Sequence, residues 1–67
     1  MEDICARVGF NIREIREEKK LSQEQVANRA DLHRAYVGQI ERGEKNIGLR
    51  NLEKIAKALK VSIKDFF

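Results

Sequence analysis

A chain of 67 residues with 42% hydrophobic and 37% charged side chains has material for one core, which at this size buries about 60% of the unfolded surface. That reads as a single domain over residues 1–67, one that a partner subunit would help to stabilise. One cysteine and one histidine rule out an internal disulfide and a closed zinc site. No apolar run reaches the length of a signal peptide or membrane span, so a soluble protein of a reducing, cytoplasmic compartment is expected. The net charge of +3 and a pI near 9.3 suggest an anionic partner. The charge is unevenly placed: residues 1–31 hold six basic and seven acidic side chains, residues 32–67 eight and four. A mild imbalance also serves solubility, so charge alone does not settle the partner.

No proline, repeat or low-complexity tract interrupts the chain. Ile4, Val8, Ile12 and Ile15 step by four, four and three, the spacing of one helix face. A first helix is predicted from about Asp3 to Lys19, with Asp3 as its cap. Gly9 inside it costs about 1 kcal/mol relative to Ala, which suggests a second helix crossing closely there. Cys5 reads as a small packed or half-exposed hydrophobe and not a reactive thiol, and Phe10, off the stripe, as a cover for the end of the bundle.

Ser22 and Gln25 have the spacing of a capping box, and Leu21 with Val26 supplies the hydrophobic staple. The second helix therefore runs from about Gln23 to Arg29. Asp31 falls where the chain must turn sharply, at a left-handed position that favours Gly but that Asp tolerates better than most residues. A third helix comes next, from about Arg34 to Arg42, and stops at Gly43. Val37 and Ile40 point inward, while Ala27 and Ala30 permit close approach. After the loop GEKNIG, Gly48 caps a fourth helix from about Leu49 to Leu59, with Leu52, Ile55, Ala56 and Leu59 as its core face. Arg50, Lys54 and Lys57 make a solvated stripe opposite. Val61, Ser62, Asp65 and Phe66 repeat the staple and box, predicting a short fifth helix from about Ile63 to the terminus. Ile63, Phe66 and Phe67 offer more apolar surface than docking needs, and Ile63 and Phe67 are the residues expected to face a second subunit.

An enzyme reading fails on inventory: there is no phosphate-binding glycine loop, no metal cluster, and no nucleophile–base set with enough chain around it for a cleft. Glu17 and Glu18 are neighbours on a helix and diverge by about 100°. A nucleic-acid reading has a mechanism. The third helix begins with His33, Arg34, Ala35 and Tyr36 and carries its apolar residues one turn later, so its first turn projects. Arg in a major groove can pair with guanine O6 and N7, and Gln39 can reach adenine or a neighbouring base. Gly38 removes a side chain between them, which reads either as tolerance of Gly in a short helix or as close approach of the backbone to DNA. The start of the second helix with the Gln23 amide forms an anion site, and Arg42, Lys45 and Asn46 can grip the backbone beyond the third helix.

The segment LSQEQVANRADLHRAYVGQIERG resembles the Xre/Cro/phage-repressor helix-turn-helix family, and the likeness runs from IREIREEKKLSQ through NLEKIAKALKVS. LHRAYVGQIERGEKNIGL looks most like the controller proteins of bacterial restriction–modification systems. The resemblance implies an all-α, five-helix, lambda-repressor-like domain whose second and third helices form the helix-turn-helix. It also implies a homodimer on a pseudo-palindromic operator, with a third helix in each of two successive major grooves. Family base contacts fall on His33, Arg34, Ala35, Tyr36 and Gln39, phosphate contacts on Gln23, Arg42, Lys45 and Asn46, and a structural ion pair on Arg16 and Glu41. Asp31, Lys20 and Lys60 stand where relatives often carry Gly, and His33 replaces a frequent Ser or Thr cap.

The expected function is thus a dimeric, sequence-specific transcription regulator, bacterial or phage-encoded, a controller protein that binds its own promoter region and activates or represses according to site occupancy, with no cofactor, metal, membrane or small-molecule ligand. A phage repressor-like or antitoxin-like regulator is the rival within the class. A protein-interaction module using Arg34 and Tyr36 on an acidic protein surface is the rival outside it, and would show no operator preference.

Overall fold

Short polar side chains set the first two helix starts, as the computed structural model, which describes residues 3–67, makes visible. The Asp3 carboxylate accepts the Cys5 N–H at 2.9 Å and opens α1 (Ile4–Glu18). At α2 (Gln23–Ala30), Ser22 Oγ accepts from Gln25 N at 3.0 Å and Gln25 Oε1 accepts from Ser22 N at 2.8 Å, so both halves of the box are made. The starts of α3 (Arg34–Glu41) and α4 (Leu49–Leu59) have no side-chain cap. The last element, Ile63–Phe66, is a turn of 3-10 helix, where an α-helix was expected. Here the chain closes tighter i to i+3 bonds, among them Asp65 N–H to Ser62 O at 2.9 Å. Among the described residues the architecture is therefore all-helical, with four α-helices and this 3-10 turn.

All four α-helices end in the same way. At each, two successive N–H groups reach back to carbonyls five and three residues earlier, as in Leu32 N–H to Ala27 O at 2.8 Å and Asp31 N–H to Asn28 O at 3.3 Å. The pattern recurs at Leu21 and Lys20, at Glu44 and Gly43, and at Val61 and Lys60. It requires one left-handed residue, which is glycine only at Gly43 (φ 75°). Lys20 (φ 60°), Asp31 (φ 57°) and Lys60 (φ 59°) adopt it with a side chain attached. In each of these three cases the next residue offsets the strain: Leu21, Leu32 and Val61 dock against the core.

That core joins Val8 and Ile12 of α1, Val26 and Ala30 of α2, Ile40 of α3, the inner face of α4 and Phe66. The apolar stripe of α1 is shorter than its spacing implied, since Ile4 is 50% exposed and Ile15 only partly buried. Phe10 does not cover the bundle: it is 58% exposed, because two residues from Val8 and two from Ile12 place it on the far side of the helix. Phe66, fully buried, takes that role, and Asn11 Nδ2 donates to its carbonyl at 2.9 Å. Gly9 marks the close crossing expected of it, for a Cβ there would collide with the Ile40 carbonyl oxygen and lie 3.0 Å from that of Glu41. A Cβ at Gly43 would sit 2.8 Å from Ala6 Cα. The last turn of α3 is thus pressed onto the backbone of α1.

Lys60→Gly should raise stability by about 0.5–1 kcal/mol, because relief of the left-handed side chain outweighs the freedom glycine adds to the unfolded chain. A urea midpoint at or below that of the parent would show that the Lys60 side chain contributes more than its backbone costs.

Candidate nucleic-acid interface

The side chains that orient α2 and α3 meet at one carboxylate. Arg16 of α1 donates from Nε to Glu41 Oε2 at 2.7 Å and from Nη2 to Glu41 Oε1 at 3.1 Å, a two-pronged pair with the carboxylate only 7% exposed. The remaining Nη1 donates to Leu21 O at 2.8 Å, and Gln23 Nε2 donates to Glu41 Oε1 at 3.0 Å. The hydrogen bonds with Glu41 raise the Arg16 pKa above its ordinary value against the opposing effect of burial, so the guanidinium stays charged throughout the working pH range. Arg16 and Glu41, paired by resemblance in the sequence, are brought together here, and they carry Leu21 and Gln23 with them. The end of α3 and the start of α2 are therefore fixed to one guanidinium.

Above this pair an open concavity of about 320 Å³ runs along α3, lined by Gln23, Arg34, Ala35, Gly38, Gln39 and Arg42. Arg34 and Ala35 stand exposed in the first turn. Gln39 shares the lining with Arg34 although five residues separate them. Gly38 is the floor: a Cβ there would lie 3.1 Å from Arg42 Nη1 and 3.5 Å from Gln23 Oε1. Its bareness lets the guanidinium and the amide draw in over the helix. His33 is exposed and makes no capping bond, leaving its imidazole free of that duty.

Several expected residues sit differently. Tyr36 does not project; its ring is partly buried against the core, and its hydroxyl accepts from Asn51 Nδ2 at 2.9 Å. One N–H of the Gln23 amide is already engaged by Glu41. Arg42 is paired with Glu44, Nε to Oε2 at 2.9 Å and Nη2 to Oε1 at 3.2 Å, and these bonds raise the Arg42 pKa and hold the Glu44 carboxyl below its ordinary range. Lys45 and Asn46 are exposed on the loop after α3 and do not line the concavity. Asn46 instead borders a second, apolar hollow with Cys5, Ile47, Leu52 and the exposed Ile4, Leu49 and Phe67. Ile63 packs against the core, so the outward apolar surface at this hollow is Phe67 with Ile4 and Leu49. Sequence reasoning missed Asn51, Glu44 and Leu49, because nothing in local periodicity sets a lone polar or apolar side chain in a first turn or loop apart from its solvated neighbours. Among the described residues there is no cluster of metal-ligating side chains, and no helix is long and apolar enough to cross a membrane.

A helix-turn-helix family model matches residues 12–66. Control protein C.BamHI of Bacillus amyloliquefaciens is 52% identical over 58 residues, which span 85% of this chain and 72% of its own. The crystal structure of the restriction–modification controller protein C.AhdI from Aeromonas hydrophila superposes with a TM-score of 0.92 at 41% identity, covering 94% of this chain and 96% of that one. The controller protein C.Esp1396I, bound to a 25 base pair operator site, superposes with a TM-score of 0.88 at 39% identity, over 100% of this chain and 88% of its own. The same protein has been solved as a tetramer with its natural 35 base-pair operator.

Removing Arg16 leaves the Glu41 carboxylate buried without its cation, and removing Glu41 leaves the Arg16 guanidinium with only the longer 3.8 Å ion-pair contact to Glu17. Arg16→Met and Glu41→Gln should each destabilise the fold by about 3 kcal/mol or more, a large share of what a chain this size holds. Equilibrium urea unfolding measures this, and a loss under about 1 kcal/mol for both variants would mean that the pair is dispensable.

Proposed function

The chain belongs to the Xre/Cro-type helix-turn-helix family, within which it is similar to restriction–modification controller proteins, and from that membership we propose a sequence-specific DNA-binding transcription regulator. It acts as a homodimer on a pseudo-palindromic operator, in the cytoplasm, controlling the promoter region of a restriction–modification system. The observation that carries the reading is the face of α3: its concavity is lined by two arginines, two glutamines, an alanine and a glycine, without a carboxylate. A surface of that kind suits the major groove, whose edges present guanine acceptors to Arg and the paired donor and acceptor of adenine to Gln.

In this reading α2 and α3 are the helix-turn-helix of a lambda-repressor-like domain, in which the terminal 3-10 turn stands for the fifth helix. Arg34 and Gln39 read bases; His33 and Ala35 flank them, the Ala35 methyl suited to a thymine methyl; Tyr36 reaches DNA by its hydroxyl edge alone. Gln23, with the free N–H groups at the start of α2, and Arg42 hold phosphates, Arg42 by exchanging Glu44 for a phosphate oxygen. Lys45 and Asn46 meet the backbone from the loop beyond. Phe67, with Ile4 and Leu49 beside it, faces the second subunit, and Ile63 supports it from beneath. Dimerisation would set two copies of α3 about one helical turn of DNA apart, about 34 Å.

Selection of bound duplexes from a random pool should yield a pseudo-palindrome, with affinity that falls steeply as salt rises. Arg34→Ala should lose about tenfold or more in discrimination between that site and a scrambled duplex, with the thermal midpoint unchanged. Retained discrimination would remove Arg34 from the reading set, and binding without any sequence preference would sink the regulator assignment. Phe67→Asp should shift sedimentation towards monomer, and an unaltered dimer would place the interface elsewhere.

A further inference from the structure

The first turn of α3 is tied to the first turn of α4 by a single side-chain bond, from Asn51 Nδ2 to the Tyr36 hydroxyl oxygen at 2.9 Å. Both residues are partly buried, and the tyrosine ring rests on the core, so the phenol end has little room to swing. A phenol carries one hydrogen to donate and an oxygen that accepts. With the Asn51 amide donating to that oxygen, the hydroxyl hydrogen is left for an acceptor other than Asn51. An accepted bond also polarises the O–H and strengthens what it donates.

We propose that Asn51 is a positioning residue that makes Tyr36 an obligate hydrogen-bond donor, so that Tyr36 recognises acceptor atoms on DNA and rejects donors. The inference rests on the DNA-reading function proposed above. Tyr36 then contributes to recognition without projecting: Asn51 sets the direction of its hydroxyl, and the core sets the position of its ring. An adenine or cytosine amino group at the same place would meet a second donor and be disfavoured, whereas thymine O4, guanine O6 or N7, or a phosphate oxygen would be accepted.

Tyr36 is the sole tyrosine of a chain that has no tryptophan, so its emission can be followed directly. The test combines that emission with a double-mutant cycle of Asn51→Leu and Tyr36→Phe, using a duplex that the parent protein selects from a random pool and a scrambled duplex of equal length. In the free protein, Asn51→Leu should alter the tyrosine emission yield while circular dichroism stays as in the parent. On the selected duplex, Asn51→Leu should weaken binding about three- to tenfold when residue 36 is Tyr, and by no more than about twofold when it is Phe. A loss confined to the selected duplex identifies a base acceptor, and an equal loss on both duplexes a phosphate. Equal losses in the Tyr and Phe backgrounds, or unchanged emission in the free variant, would overturn the positioning role while leaving DNA reading intact. A parent protein that binds selected and scrambled duplexes alike would overturn the DNA reading and this inference with it.

Discussion

The main constraint on the orientation of the proposed reading face is the buried pair between Arg16 and Glu41. Taking two charges out of water costs more than their attraction returns unless the geometry is good and the other polar atoms are satisfied. Here both conditions hold. Two guanidinium nitrogens meet two carboxylate oxygens, the third binds the Leu21 carbonyl, and Gln23 adds a further donor to Glu41. Among the described residues no buried side-chain nitrogen or oxygen lacks a partner. The pair therefore acts as a joint between three elements: the last part of α1, the start of α2 and the end of α3.

That joint forms only because the backbones come close. Gly9 removes the side chain that would collide with the Ile40 carbonyl, and Gly43 lets the chain pass over Ala6. With the C-terminal end of α3 clamped to α1, its first turn is left to stand out, carrying Arg34 and Ala35 into solvent. The Gln23 amide, held from below by Glu41, and Arg42, lying over Gly38, border the same concavity. A core ion pair and a surface recognition face are thus parts of one network, and stability and orientation are set by the same atoms. The Tyr36–Asn51 bond is a second, lighter tie at the opposite end of α3, where no side chain caps the helix start.

Local chemistry was legible wherever a rule operates over a few residues. Asp3, Ser22 and Gln25 cap as their spacing implies, Gly43 closes α3, and the three residues that replace glycine, Lys20, Asp31 and Lys60, take up left-handed backbone. Gly9 inside a helix correctly marked a crossing, since a costly residue kept in a helix implies a packing reason. Periodicity failed at the edges of the helices. Ile4 continues the stripe of α1 by spacing, yet half of it stays exposed, and Phe10 is large enough for a core but lies on the wrong side.

By itself the sequence determined the four main helices, their caps and stops, most of the core and the basic first turn of α3, because capping, periodicity and charge act locally. Only the tertiary structure decided what each polar side chain would do once helices met. It drew Tyr36 inward onto Asn51, engaged Gln23 with Glu41, set Asn46 beside an apolar hollow, and settled Ile63 onto the core while leaving Phe67 outside. Those outcomes depend on which surfaces of distant elements approach within hydrogen-bonding or van der Waals distance. Nothing in the residues flanking Tyr36 or Gln23 encodes that distance.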